Sequence, residues 1–199
     1  MYAVVGKGST YLTLQLAGVS GRRYDVTMNN ETQSSVAHNA TLTFTNLEPD
    51  TTYSVSVYLI RRVYNKVVIR NNSQKHPLSL AAVQVFDHNN IMVSHAAKKV
   101  KTVRQTDTVH GGIASRALQN SVDGDWRNNS VTHTSHGGWR YWTLEFSADV
   151  TIKQIVIYNR TDCCGERLKG SRLRLYHKSS KHHDVEMSGA ESQKFNFDP

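Results

Sequence analysis

The sequence predicts an all-β protein folded as two β-sandwiches, and three observations carry that expectation. Short runs with apolar residues at alternate positions recur along the chain, long helical periodicity is absent, and a polar stretch ending in proline separates a shorter first part from a longer second one. At 199 residues the chain is long enough for two domains that each bury a core. A hydrophobic content of 38% against 20% charged residues fits folded globular protein rather than disorder.

The alternating runs fall at residues 11–16, 40–44, 53–58, 154–158 and 172–176, each rich in β-branched or aromatic residues and bounded by Gly, Asn, Asp or Ser. Such half-buried strands build antiparallel sandwiches, so any helix is expected to be a single short turn. The polar run from Asn71 to Pro77 reads as an interdomain linker. It places a first domain at 1–73, a linker at 74–78 and a second domain at 79–199.

Within the first domain, residues 47–57 spell Leu-x-Pro-x-Thr-x-Tyr-x-Val-x-Val. Pro49 suits a turn, and Tyr53, Val55 and Val57 then share one strand face. A tyrosine placed there can bury its ring while its hydroxyl bonds back to the turn, the corner device of Greek-key sandwiches. This run resembles the corner of fibronectin type III domains, and the resemblance implies a reduced sandwich of that kind with a spacing or docking role.

The net charge of +8 is read first as a solvated surface and functionally as attraction to acidic glycans. The densest basic cluster, Lys98-Lys99-Val100-Lys101, lacks the interleaved aromatics that stack nucleic-acid bases and is expected to be a loop or edge strand. No run is long and apolar enough for a membrane span, and the N-terminal residues lack a basic-then-apolar leader pattern. No Gly-x-Ser-x-Gly, His-Glu-x-x-His or phosphate-loop motif appears, which points to binding rather than catalysis.

Three features of the second part carry chemistry. Arg160 and Asp162 follow the apolar strand at 154–158, and residues two apart on a strand share a face, so guanidinium and carboxylate can pair. A carboxylate behind an arginine locks its fork and leaves outward N–H groups for a ligand. Arg167 returns to the same rim across a tight Cys-Cys-Gly-Glu turn. Cys163 and Cys164 are the only two cysteines. Consecutive Cα atoms lie about 3.8 Å apart, below the usual disulfide range of about 4.4–6.8 Å. The pair is therefore either a strained ring that presents two sulfurs as an apolar knob, or two buried thiols. His133, in Ser-Val-Thr-His-Thr, offers one donor and one acceptor.

Together these residues spell His-x26-Arg-x-Asp-x4-Arg with Cys-Cys inside the last gap, and here the sequence resembles the F-type lectins (fucolectins), a discoidin-like, galactose-binding jelly-roll group. Residues 117–125, 139–146 and 159–170 add matching runs, and the resemblance covers 113–176. It implies a C-terminal discoidin-like jelly roll in which His133, Arg160 and Arg167 hydrogen-bond a terminal fucose or related sugar. Asp162 would orient the arginines, and Cys163-Cys164 would form a vicinal disulfide under the ring.

The same resemblance implies a structural calcium near the Asp-Gly loop, held by Asn120, Asp123, Asp125 and Ser130, since oxygen donors suit Ca²⁺. The competing reading is an Asp-Gly turn capped by its own carboxylate. Val131 stands where the family has a cysteine, and no C-terminal Cys-Glu completes the shell. His182-His183-Asp184 has no third metal ligand at a recognisable spacing. An Asn-x-Thr sequon at Asn159 adjoins the proposed pocket, where a glycan would block it.

The function expected is therefore non-catalytic recognition of fucosylated glycans, at an extracellular or virion surface. The alternative is a structural or assembly protein of a virus particle or cell-surface complex that keeps the lectin fold as a scaffold and joins protein partners.

Overall fold

The computed structural model describes residues 2–7, 11–18, 22–28, 31–37, 39–48 and 51–197. It divides into two compact units, one running to Arg61 and one from Arg62 onward. All paired strands are antiparallel. The helical segments among the described residues are four 3₁₀ turns of three to five residues.

Among the described residues the first unit has six strands: β1 (Tyr2–Lys7), β2 (Tyr11–Leu16), β3 (Arg23–Met28), β4 (Glu31–Ala37), β5 (Thr41–Thr45) and β6 (Val55–Ile60). They form two three-stranded sheets, ordered β1-β2-β5 and β4-β3-β6. Alternation turns Leu14 and Leu16 of β2, Val26 and Met28 of β3, and Leu42 and Phe44 of β5 into one shared core. The tyrosine corner is present: the backbone N–H of Glu48 donates to the Tyr53 hydroxyl at 2.7 Å. The Tyr53 ring packs on that core beside Val55 and Val57. Pro49 and Asp50 of the motif lie outside the described residues.

The second unit is an eight-stranded sandwich of the jelly-roll kind. Its strands are β7 (Val63–Arg70), β8 (Ala82–Phe86), β9 (Val100–Gln105), β10 (Tyr141–Thr151), β11 (Gln154–Tyr158), β12 (Arg172–His177), β13 (Ser180–Glu186) and β14 (Ser192–Asn196). A five-stranded sheet, β13-β12-β7-β10-β9, faces a three-stranded one, β14-β11-β8. Val67, Ile69, Trp142, Leu144, Leu173 and Leu175 from the larger sheet meet Val83, Val85, Ile155 and Ile157 from the smaller in one core. The basic run at 98–101 leads into β9, an edge strand as its charge requires.

The boundary differs from the one read in the sequence. The division falls at 61/62, and the expected linker at 74–78 lies inside the second unit. β7 is the middle strand of the larger sheet, pairing with β10 on one side and β12 on the other. The polar run after it is an ordered connection. Asn71 is buried, its amide donating to the carbonyls of Ser73 and His76 at 2.6 and 2.8 Å, while its Oδ1 accepts from the Arg140 N–H at 3.0 Å. Polar residues mimic a linker when their side chains close a loop on itself.

Candidate functional site

β11 ends at Tyr158, and the chain leaves it through Asn159, whose amide is buried and donates to the carbonyls of Gly165 and Gly189 at 2.8 and 3.1 Å. These bonds fold the 159–168 segment into a rigid hook. They also exclude a glycan on Asn159 in the folded protein. On the hook, Arg160 Nε and Nη2 donate to the two oxygens of Asp162 at 2.8 and 2.9 Å. The pairing expected from their spacing is thus a two-bond fork. Both side chains are largely covered, at 11% and 15% exposed. The guanidinium holds the Asp162 carboxyl down to about 2, and the N–H of Trp126, donating at 3.2 Å, adds to that effect.

His133 is buried, and its ring meets Trp126 at 5.4 Å and His110 at 5.6 Å between centroids, both edge to face. Burial lowers its pKa, and the positive charges of Arg160, His110 and Arg167 push the same way, with the Thr134 backbone opposing. The imidazole is therefore neutral at pH 7 and keeps both a donor and an acceptor. Trp126 joins His133, Arg160 and Asp162 into one group, meeting the His133 ring, carrying the Arg160 guanidinium and donating its N–H to Asp162. Arg167 stands apart from that group, beside Cys164.

Two neighbours were not read as site residues from the sequence. Trp126 lies beneath Arg160, whose guanidinium carbon is 5.3 Å from the ring centroid, and it also carries Arg116 at the same distance. His110 enters through the turn His110-Gly111-Gly112. A Cβ at Gly112 would sit 2.5 Å from the His133 backbone nitrogen and 2.7 Å from its Cβ. Only glycine permits that approach, so the Gly-Gly pair was the available signal for this contact.

Cys163 and Cys164 are disulfide-bonded to one another, with Cα atoms 3.8 Å apart. Cys164 adopts φ +63°, which turns the chain into the single turn Gly165–Leu168 that carries Arg167. Cys163 is exposed and Cys164 half-buried, so the pair does not lie in the core. Arg167 and Cys164 line one small depression with Asn159 and Leu78. The Arg167 guanidinium approaches Glu166 only to 3.9 Å.

The Asp-Gly loop, where the resemblance implies calcium, is held by hydrogen bonds among its own residues. Asp123 Oδ1 accepts from the Asp125 N–H at 2.8 Å, and its Oδ2 accepts from the Asn128 amide at 2.7 Å. Both oxygens of Asp125 are taken by the Arg127 guanidinium, and the Ser130 hydroxyl donates to the Asp125 carbonyl. No hydrogen bond of the Asn120 side chain points into this group. Among the described residues no three acidic, histidine or cysteine side chains converge as ligands. As arranged, Asp123, Asp125 and Ser130 bond to protein groups, and an ion that takes six to eight oxygens would have to displace some of those partners. The loop also braces the Arg160 hook: the Thr161 N–H donates to the Gly124 carbonyl at 2.9 Å. A Cβ at Gly124 would meet the Asn159 carbonyl at 2.7 Å.

Residues 120–198 match the family described as NedA-like, galactose-binding domain. Among curated proteins, the chain is 38% identical to Fucolectin-6 of Anguilla japonica over 100 residues, 48% of this chain and 53% of that protein. Fucolectin-4 of the same species is 38% identical over 60 residues, 30% of this chain and 33% of that one. The pentraxin fusion protein of Xenopus laevis is 27% identical over 62 residues, 31% of this chain and 15% of its own length. The chain thus spans about half the length of the first of these relatives and less of the others. No solved structure matches it.

Proposed function

We propose that the second unit is a non-catalytic carbohydrate-recognition module that takes a terminal fucose or a related deoxy sugar on a glycan. The observation that carries this reading is the Arg160–Asp162 fork stacked on Trp126 beside neutral His133. Such a group offers fixed donors to vicinal hydroxyls and an acceptor in return. The carboxylate sets the direction of the guanidinium, so little order has to be gained on binding. The exposed Cys163-Cys164 disulfide supplies an apolar contact for the C–H face or methyl of the sugar. The names of the relatives, fucolectins, support the same ligand class. A vicinal disulfide in working form suits an oxidising compartment, which supports an extracellular or virion-surface setting.

The test is calorimetry or a glycan array with fucose and fucosylated oligosaccharides on the oxidised protein, with Arg160→Ala alongside. Saturable binding lost in the variant is expected. Absence of saccharide binding by the unaltered protein overturns the reading. Weak binding at a single site is expected, because a shallow pocket buries little area, and tight attachment would then come from several copies acting together.

A further inference from the structure

We propose that the outward face of the five-stranded sheet is a second binding surface, for sulfated glycans, centred on Lys66, Lys101 and Lys178. Val67 and Ile69 of β7 point into the core, so Lys66 between its neighbours points out. It pairs across the ladders with Glu145 of β10 and Tyr176 of β12. Lys101 stands on the exposed edge strand β9, and Lys178 on the turn between β12 and β13. The three lysines, distant in sequence, line one surface depression of about 170 Å³ together with Asn65, Glu145 and Phe146.

The placement of Lys178 is built into the fold. Its backbone sits at φ +53°, and its N–H donates to Asn65 Oδ1 at 3.0 Å, which fixes the turn over β7. Among the described residues none of Lys66, Lys101 and Lys178 forms an ion pair. The one carboxylate in the depression, Glu145, is already engaged by Arg104 at 2.9 Å. Three ammonium groups and one guanidinium thus surround a single carboxylate, and the surplus is positive. Elsewhere on this face Arg172, Arg174 and Lys181 are each paired with Asp184, and Arg172 also with Glu186.

A cluster of point-like ammonium groups around a depression suits sulfate groups on a flexible polysaccharide. Nucleic acid fits less well, since base stacking needs free aromatic faces. Here the Tyr176 face is covered by the Lys66 ammonium at 4.9 Å, and Phe146 is buried.

The experiment uses the full chain on a heparin oligosaccharide and on its desulfated counterpart, by calorimetry at several salt concentrations. It compares the unaltered protein with Lys66→Gln/Lys101→Gln/Lys178→Gln and with a charge-matched control, Lys75→Gln/Lys153→Gln/Lys194→Gln. Heparin binding that weakens with salt, disappears on desulfation and falls roughly tenfold or more in the first variant but not the control is expected. Equal loss in both variants, or in neither, overturns the site. A single-stranded oligonucleotide of equal charge that binds as tightly as heparin overturns the glycan assignment. Fucose binding and the circular dichroism spectrum of each variant are recorded alongside. An intact spectrum shows that lost heparin binding is not misfolding, and the fucose result stands or falls separately.

Discussion

A chain that begins at residue 79 lacks β7, and its sandwich is expected not to form. β7 is the only strand that joins β10 to β12, so without it the larger sheet separates into two pairs, β13-β12 and β10-β9. Its side chains Tyr64, Val67 and Ile69 are at most 1% exposed in the core. Burying a side chain of this size contributes roughly 1.5–3 kcal/mol, so the three together supply roughly 5–9 kcal/mol before any ladder hydrogen bond is counted. Domains of this size are stable by only about 5–15 kcal/mol in total. The perturbation therefore removes most or all of the margin. The assay compares fragments 62–198 and 79–198 by thermal melting, followed by circular dichroism and amide-resolved NMR. A cooperative transition and dispersed amide signals are expected for the first fragment and not for the second. If 79–198 melts cooperatively at a temperature near that of 62–198, the reasoning about β7 is wrong.

Asp162→Asn is expected to weaken sugar binding about tenfold, because it replaces a charged two-bond fork by a neutral amide that cannot accept both arginine donors, measured by fucose calorimetry. The depressed Asp162 carboxyl contributes stability that is complete above its unfolded value near pH 4 and is lost as pH falls toward about 2. An acid titration of melting temperature should show a smaller drop in that window for Asp162→Asn than for the unaltered protein. His133 works at higher pH: with its folded pKa lowered, protonation is resisted, so both stability and sugar affinity should decline as pH falls below about 6.5. His133→Gln should remove that dependence in the affinity profile. Reduction of Cys163-Cys164, followed by intact mass, should weaken fucose binding without unfolding the core, since neither cysteine belongs to it. Calcium or chelator should leave the melting temperature unchanged, and a saturable calcium-dependent rise would show that the Asp123–Ser130 loop can rearrange around an ion.

Much of this protein is decided locally and can be read along the chain. Alternation of apolar residues marks β2, β11 and β12 almost to the residue, because one face of each strand must be dry. The Tyr53 corner needs only a turn and a hydroxyl five residues from its partner. The Arg160–Asp162 fork is likewise a short-range contact, since two residues apart on an extended chain share a face. What depends on packing between distant segments is not legible in that way. The place of β7 between β10 and β12 depends on strands far away in the chain, and the polar residues after it read as a boundary although Asn71 closes them into a loop. Trp126 and His110 reach the site only because glycines at 112 and 124 let separate loops touch. The same holds for the lysine face, where three ammonium groups from three elements meet around one depression. Periodicity and spacing by themselves determined β2, β5, β6, β11, β12 and the fork. The domain boundary, the use of the Asp-Gly loop as a brace and the second basic surface were decided by tertiary structure, because each depends on which distant groups share a face and which are left to pair with one another.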